Sequence, residues 1–148
     1  MKYKRFKLNE KSTEELLHEL RSSTKIEKFI DNNKIEMLYD SYNVYLNSLL
    51  IHKNITKADV VKGSHLNRAY VYQIFLGIKM PSRDKVIALS FGLRLTFDET
   101  QSFLKKSGYR ELYPRDERDS VVIYSHERKL DIRKANELLY DLSLNLIE

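Results

Sequence analysis

Apolar residues recur at intervals of three and four along most of this chain, the period of a helix with one buried face. Leu16, Leu17 and Leu20 follow Ser12-Thr13-Glu14-Glu15, where Ser12 is placed to cap a helix and Glu15 stands three residues on. A short helix to about Arg21 is predicted. A second small segment, capped by Ser23 or Thr24, carries Ile26, Phe29 and Ile30. Ile35, Leu38, Tyr42, Tyr45, Leu46 and Leu49 then trace a single stripe, which predicts a long amphipathic helix ending near His52. Thr56 opens the next helix, with Val60 and Val61 inward as far as Lys62, and Gly63-Ser64-His65 turns the chain. Asn67 caps a helix from Arg68 to about Leu76.

After the loop from Gly77 to Pro81, Ser82 caps a helix carrying Val86, Ile87, Leu89 and Ser90 to Gly92. Thr96-Phe97-Asp98-Glu99 forms a second capping box ahead of Phe103 and Leu104. Val121 to Tyr124 alone has the composition of a strand. With Asp116-Glu117 before it and His126, Arg128 and Lys129 after it, the stretch reads instead as a helix whose end charges oppose its dipole. Asp131 caps a last helix with Ile132, Ala135, Leu138, Leu139 and Leu142 on one face, followed by Leu144, Leu146 and Ile147. Gly63, Gly77, Gly92 and Gly108 each follow an apolar-periodic segment, where a left-handed C-terminal cap is expected.

With only four glycines and two prolines in 148 residues, the expected fold class is all-α. Three parts are expected: a basic arm and short helices at 1–34, a core domain at 35–107, and a helical extension at 108–148 that docks on the core or pairs two subunits. An apolar share of 42% and a charged share of 32% suit a globular chain and argue against disorder or a membrane span. The lack of cysteine excludes disulfides, thiol catalysis and cysteine-ligated zinc, and points to a reducing, cytoplasmic setting. Lys2, Lys4, Arg5 and Lys7 have no apolar segment after them and read as a solvated terminus, with a phosphate-following arm as the competing reading.

Charge singles out one stretch. From His52 to Lys85, seven lysines and arginines face Asp59 and Asp84, a net +5 that equals the formal charge of the whole chain. The basic character is therefore local. Within it, Thr56, Val60, Val61, Ser64-His65 and Asn67, then Val71, Ile74, Gly77, Lys79 and Pro81-Ser82, resemble the lambda repressor and Cro type of helix-turn-helix, often labelled XRE. The following aliphatic helix and Leu93-Thr96-Glu99 are similar to the end of that domain. The resemblance covers residues 35–107 and implies a five-helix, lambda-repressor-like domain, flanked here by extra N-terminal and C-terminal helices.

What the resemblance implies is a sequence-specific, double-stranded DNA-binding transcriptional regulator whose helix Arg68–Leu76 enters the major groove. With Val71 and Ile74 buried, helical geometry turns Ala69, Tyr72, Gln73 and Leu76 outward. Arg68 suits a guanine edge or a phosphate, Gln73 an adenine edge, and Ala69 a close approach, so Arg68, Ala69, Tyr72 and Gln73 are the expected base contacts. Thr56, Lys57, Asn67, Lys79 and Arg83 are the expected contacts to the DNA backbone. Family analogy implies a homodimer, with the C-terminal helices as its interface. Where the family usually has a glutamate, this chain has Phe75-Leu76-Gly77. Tyr70, Tyr72, Phe75 and Leu76 then serve either as core and thymine-methyl contacts or as a protein-binding surface. The second choice defines the alternative: an antitoxin-like or adaptor module on the same fold, with weak or no DNA binding.

Other chemistry finds little support. His18, His52, His65 and His126 have no ligand spacing and read as surface or turn residues, so no metal is expected. Asp116, Glu117 and Asp119 interleave with Arg115 and Arg118, which reads as a helix-start ion-pair cluster. No phosphate-binding loop, dinucleotide fingerprint or nucleophile elbow occurs, so neither an enzyme nor a cofactor is expected.

Overall fold

A computed structural model describes residues 11–33 and 42–148, and all regular structure among them is helical. In chain order the helices are α1 (Thr13–Ser22), α2 (Ile26–Asn32), α3 (Tyr42–Lys53), α4 (Lys57–Ser64), α5 (Arg68–Phe75), α6 (Arg83–Gly92), α7 (Phe97–Lys106), α8 (Glu117–Glu127) and α9 (Ile132–Asp141). The expectations for Ile35, Leu38 and the basic arm lie outside the described residues. Most capping residues act as expected. The side chains of Ser12, Thr56, Asn67, Ser82, Thr96 and Asp131 each accept a backbone N–H at the start of their helix, and Asp116, expected only as a helix-end charge, does the same for α8. The exception is α2, whose N-cap is Lys25 without a side-chain bond, rather than Ser23 or Thr24.

The N-terminal helices α1 and α2 pack on each other. Lys11 binds both Glu19 and Asn33 at 2.7 Å, and the Asn33 amide donates to Glu19 at 3.1 Å and to the Phe29 carbonyl at 2.9 Å. Those bonds hold the pair by polar contacts, since α1 buries no residue and α2 buries only Phe29.

The core is built around α6. Every residue from Val86 to Gly92 is buried, because α4, α7 and α9 all pack against that helix. A helix apolar on all sides is stable only when enclosed in this way. Tyr42, Tyr45, Leu46 and Leu49 from α3, Val60 from α4, and Val71, Ile74 and Phe75 from α5 complete one side of the core. Phe103, Leu104, Val122, Ile132, Ala135 and Leu139 complete the other. Val61, expected inward, is only partly buried.

Two glycines act differently from the expectation. Gly77 and Gly108 adopt left-handed conformations, with φ of 78° and 83°, and cap α5 and α7. Gly63 and Gly92 instead lie inside α4 and α6 at the point where those helices cross. A Cβ on Gly63 would sit 3.0 Å from the Gly92 Cα, and one on Gly92 would sit 2.6 Å from the Val60 carbonyl oxygen. The glycines are there for close backbone approach. The left-handed positions that end α4 and follow α6 fall to His65 (φ 59°) and Arg94 (φ 54°).

The C-terminal extension is joined to α6 by long-range ion pairs. Buried Asp119 accepts from both terminal nitrogens of Arg83, at 3.2 and 2.9 Å, and from the Tyr113 N–H at 3.0 Å. Arg118 donates to Asp84 at 2.6 Å and to the carbonyls of Asn145 and Leu146 at 2.8 Å. The acidic cluster near residue 116 is therefore not a purely local ion-pair group, because its main partners are on the first turn of α6.

His126 is also corrected by the structure, from a surface residue to a buried one. Its ring stacks on Phe91 with centroids 4.3 Å apart, with Nδ1 3.0 Å from the Leu95 carbonyl and Nε2 2.9 Å from the Ser90 hydroxyl. A neutral ring can donate from Nδ1–H to the Leu95 carbonyl, while the single hydrogen of the Ser90 hydroxyl is directed at the Ile87 carbonyl, 2.5 Å away, and the hydroxyl oxygen lies beside Nε2. Burial pushes its pKa down from 6.5 to about 4. Its contribution to stability is thus fully present above pH 6.5 and is lost as pH falls toward 4, because the unfolded imidazole binds its proton first. Urea midpoints measured from pH 7.5 down to 5 should fall in the parent and fall less in His126→Phe. Equal slopes would show that another group titrates.

Candidate nucleic-acid interface

The α4–α5 pair is set by its two starts. Thr56 accepts from the Asp59 N–H, and the Asp59 carboxylate accepts in return from the Thr56 N–H at 2.9 Å, a closed capping box. His65 then turns the chain, and Asn67 accepts from the Tyr70 N–H to start α5. At the far end, Ile78 N–H donates to the Gln73 carbonyl and Gly77 N–H to the Ile74 carbonyl, a paired closure that requires the left-handed Gly77. The Asn47 amide also donates to the Phe75 carbonyl at 3.2 Å, and the Tyr109 hydroxyl donates to the Pro81 carbonyl at 2.7 Å. Both ends of the loop from Leu76 to Ser82 are thereby anchored.

Val71, Ile74 and Phe75 face the core, with Phe75 only 1% exposed. Arg68, Ala69 and Leu76 are exposed, and Tyr72 and Gln73 are half-buried on the outer side. Arg68 lies over the Tyr72 ring, 5.1 Å from its centroid, and donates to the Tyr72 hydroxyl at 3.2 Å. The Lys57 ammonium lies 5.6 Å from the same ring and 6.0 Å from Phe75, which brings the start of α4 beside the middle of α5. Lys79 and Lys85 both lie 5.9 Å from the Tyr70 ring. Two tyrosines thus act as posts for four cations. An exposed cation–ring contact contributes only about 0.5–1 kcal/mol, so it orients these groups without neutralising them.

Among the described residues, none of these four cations pairs with a carboxylate, whereas Lys53 and Arg83, in the same basic stretch, do. Lys53 binds Glu99, and Arg118 binds Asp84 at 2.6 Å. Arg83 is the main change to the expected set. It sits at the start of α6, but its guanidinium is held by Asp119 and by the carbonyls of Arg110 and Glu111, both at 3.1 Å. Its fork geometry is already used inside the protein. Lys85, two residues on, occupies the outer position instead. The sequence pattern did not single out Lys85 as a contact, and it offered Tyr70 only as a core, thymine-methyl or protein-binding residue, since the association of both with Lys79 arises from folding the loop back, not from spacing along one helix.

Thr56, Lys57, Asn67, Arg68, Ala69, Tyr72, Gln73 and Lys79 belong to α4, α5 and the residues that cap or follow them. Leu76, Ile78 and Met80 add an apolar edge, at 61, 67 and 60% exposure. Tyr70 and Tyr72 do not extend that edge, because both are half-buried beneath cations. Among the described residues there is no group of three or more acidic or imidazole side chains able to hold a metal, and no helix is long and apolar enough to cross a membrane. No protein-family model matches this sequence, and neither does any curated protein or solved structure.

Proposed function

We propose that this chain is a transcriptional regulator of the lambda-repressor type that binds duplex DNA by placing α5 in the major groove. The observation that carries this reading is the set of four cations, Lys57, Arg68, Lys79 and Lys85, mounted on tyrosine rings around the outer side of α5 without carboxylate partners. A duplex presents a phosphate row on each side of a groove wide enough for one helix. Lys57 precedes the helix and Lys79 and Lys85 follow it, so they flank the groove while Arg68, Ala69, Tyr72 and Gln73 face its floor. Arg68 reads a guanine edge, Gln73 an adenine edge, and the small Ala69 permits close approach. Thr56 and Asn67, at the starts of the two helices, lie beside the backbone. A homodimer would place two such helices on a two-fold operator.

Titration of mixed genomic duplex fragments at two salt concentrations tests this. Binding that weakens steeply with salt is expected, because the flanking lysines displace counterions. Lys79→Ala should weaken binding to all sequences and reduce the salt slope by about 1. Arg68→Ala and Gln73→Ala should each cost about 1–3 kcal/mol on the selected operator and relax the choice of base. No duplex binding at low salt would sink the proposal. So would an unchanged operator preference in the double variant.

The exposed Leu76, Ile78 and Met80 favour a second reading, a protein-binding module in which this edge docks on a partner. Replacement of all three by serine separates the two. Under the first reading duplex binding keeps its salt dependence, and under the second a specific protein complex is lost while duplex binding was never present.

A further inference from the structure

The hairpin of α1 and α2 has no share in the hydrophobic core. Among the described residues, the apolar cluster around α6 takes side chains from every helix between α3 and α9 and none from α1 or α2. Phe29, the one side chain that the pair buries, lies outside that cluster. Leu17, Leu20 and Ile26 are exposed, and Leu16 and Ile30 are half-buried. Helices of 10 and 7 residues are marginal by themselves in water. The bonds among Lys11, Glu19 and Asn33 fix the shape of the hairpin without covering its leucines.

We propose that this hairpin is the pairing element of the chain. A second copy of the same hairpin covers Leu17, Leu20 and Ile26, and the two form a four-helix bundle about a two-fold axis. Other exposed apolar residues have a different setting. Leu76 and Tyr140, for example, adjoin or belong to helices whose inner faces are already in the core. Only burial against a partner gives α1 and α2 a comparable anchor.

Charge favours a second copy over other occupants. Residues 11–33 hold four lysines and arginines and five aspartates and glutamates, a net of −1, so they offer a polyanion no counterpart to the basic stretch 52–85. Near balance also lets two copies approach without net repulsion. The pattern is self-complementary as well. Glu14 stands in the first turn of α1 and Arg21 in the last. Glu14, Leu17 and Arg21, at i, i+3 and i+7, share one side of the helix, with Leu20 beside them. A two-fold axis at Leu17 lays two such helices antiparallel. It brings Leu17 onto its own counterpart and sets the turn of Glu14 beside the turn of Leu20 and Arg21 in the other copy. The same pairing would supply the symmetry of a two-fold operator, but nothing in its derivation rests on DNA.

Light scattering of the full chain over a range of concentrations reads the mass directly, with no duplex present. A dimer is expected. Leu17→Glu/Leu20→Glu should dissociate at concentrations at least about tenfold above those at which the parent does. The near-ultraviolet dichroism of the core tyrosines should be retained, since neither leucine belongs to that core. The chain has no cysteine, so Leu17→Cys and Tyr140→Cys each place a single thiol. Oxidation should link the first into covalent dimers and leave the second as single chains. A parent that stays monomeric at every concentration would overturn the proposal and assign the hairpin to a different partner. Undiminished pairing of Leu17→Glu/Leu20→Glu would also overturn it, as would cross-linking through Tyr140→Cys in place of Leu17→Cys, which moves the interface to α9. Duplex binding is assayed separately, so a monomer that binds DNA refutes the pairing alone.

Discussion

Asp119→Ala is expected to destabilise the protein by about 4 kcal/mol, read as a lower urea midpoint at neutral pH. Asp119 is 2% exposed and is the anchor for both terminal nitrogens of Arg83 and for the Tyr113 N–H. The Arg110 guanidinium adds a longer contact at 3.5 Å. Truncation removes the carboxylate but leaves the Arg83 charge only partly exposed, and an uncompensated charge in that position costs more than the pair contributed. The same logic predicts recovery. Arg83→Met combined with Asp119→Ala should regain part of the loss, since no buried charge then lacks a partner. A single-variant loss below about 1 kcal/mol would mean that water solvates Arg83 and that the bridge is of the weak surface kind. Because Arg83 begins α6 directly after the Pro81-Ser82 loop, loosening this bridge should also lower protection of the α8 amides before those of α3.

Gly92→Ala should have the second large effect, a loss of about 3 kcal/mol and a melting temperature lower by roughly 10 °C. Alanine favours a helix over glycine by about 1 kcal/mol, so an isolated helix would gain from this change. In the folded protein the new methyl would lie 2.6 Å from the Val60 carbonyl oxygen. That neighbour is backbone and cannot rotate away, so α4 and α6 must separate along their crossing. Overpacking of this kind outweighs the propensity gain. Gly63→Ala meets the Gly92 Cα at 3.0 Å and should cost less than Gly92→Ala. If Gly92→Ala is neutral or stabilising, the crossing is looser than these distances indicate. Since α4 leads directly into α5, the variant also tests whether the outer face of α5 depends on that crossing.

Much of the architecture was legible before folding was considered. The helix starts were clearest, at Ser12, Thr56, Asn67, Ser82, Thr96 and Asp131, because a cap is a bond between a side chain and a backbone group three residues away. The buried faces of α3, α5 and α7 were also legible from period alone. The charges flanking Val121–Tyr124 point to a helix in place of a strand, and the stretch lies within α8.

The direction of the outer side of α5 follows from helical spacing, in that Arg68, Ala69, Tyr72 and Gln73 are half-buried or exposed while Val71 and Ile74 are buried. What could not be read was which cations remain available. Arg83 and Lys85 are two residues apart in one basic run. Only the fold brings Asp119 to the first and the Tyr70 ring near the second. The same limit applies to the glycines. Four similar-looking stops divide into two turns and one helix crossing, since a glycine that admits a neighbouring backbone and a glycine that bends its own have the same local sequence.

The sequence by itself determined the helical class, the caps and the buried stripes, because these follow from interactions within one turn of the chain. Tertiary structure alone decided the α4–α6 crossing at Gly63 and Gly92, the neutral burial of His126, and the transfer of Arg83 from the outer face to an internal bridge. Each of those depends on a partner at least 29 residues away in sequence, as with Gly63 and Gly92. Periodicity records which side of a helix is buried, but it carries no information about what that side meets.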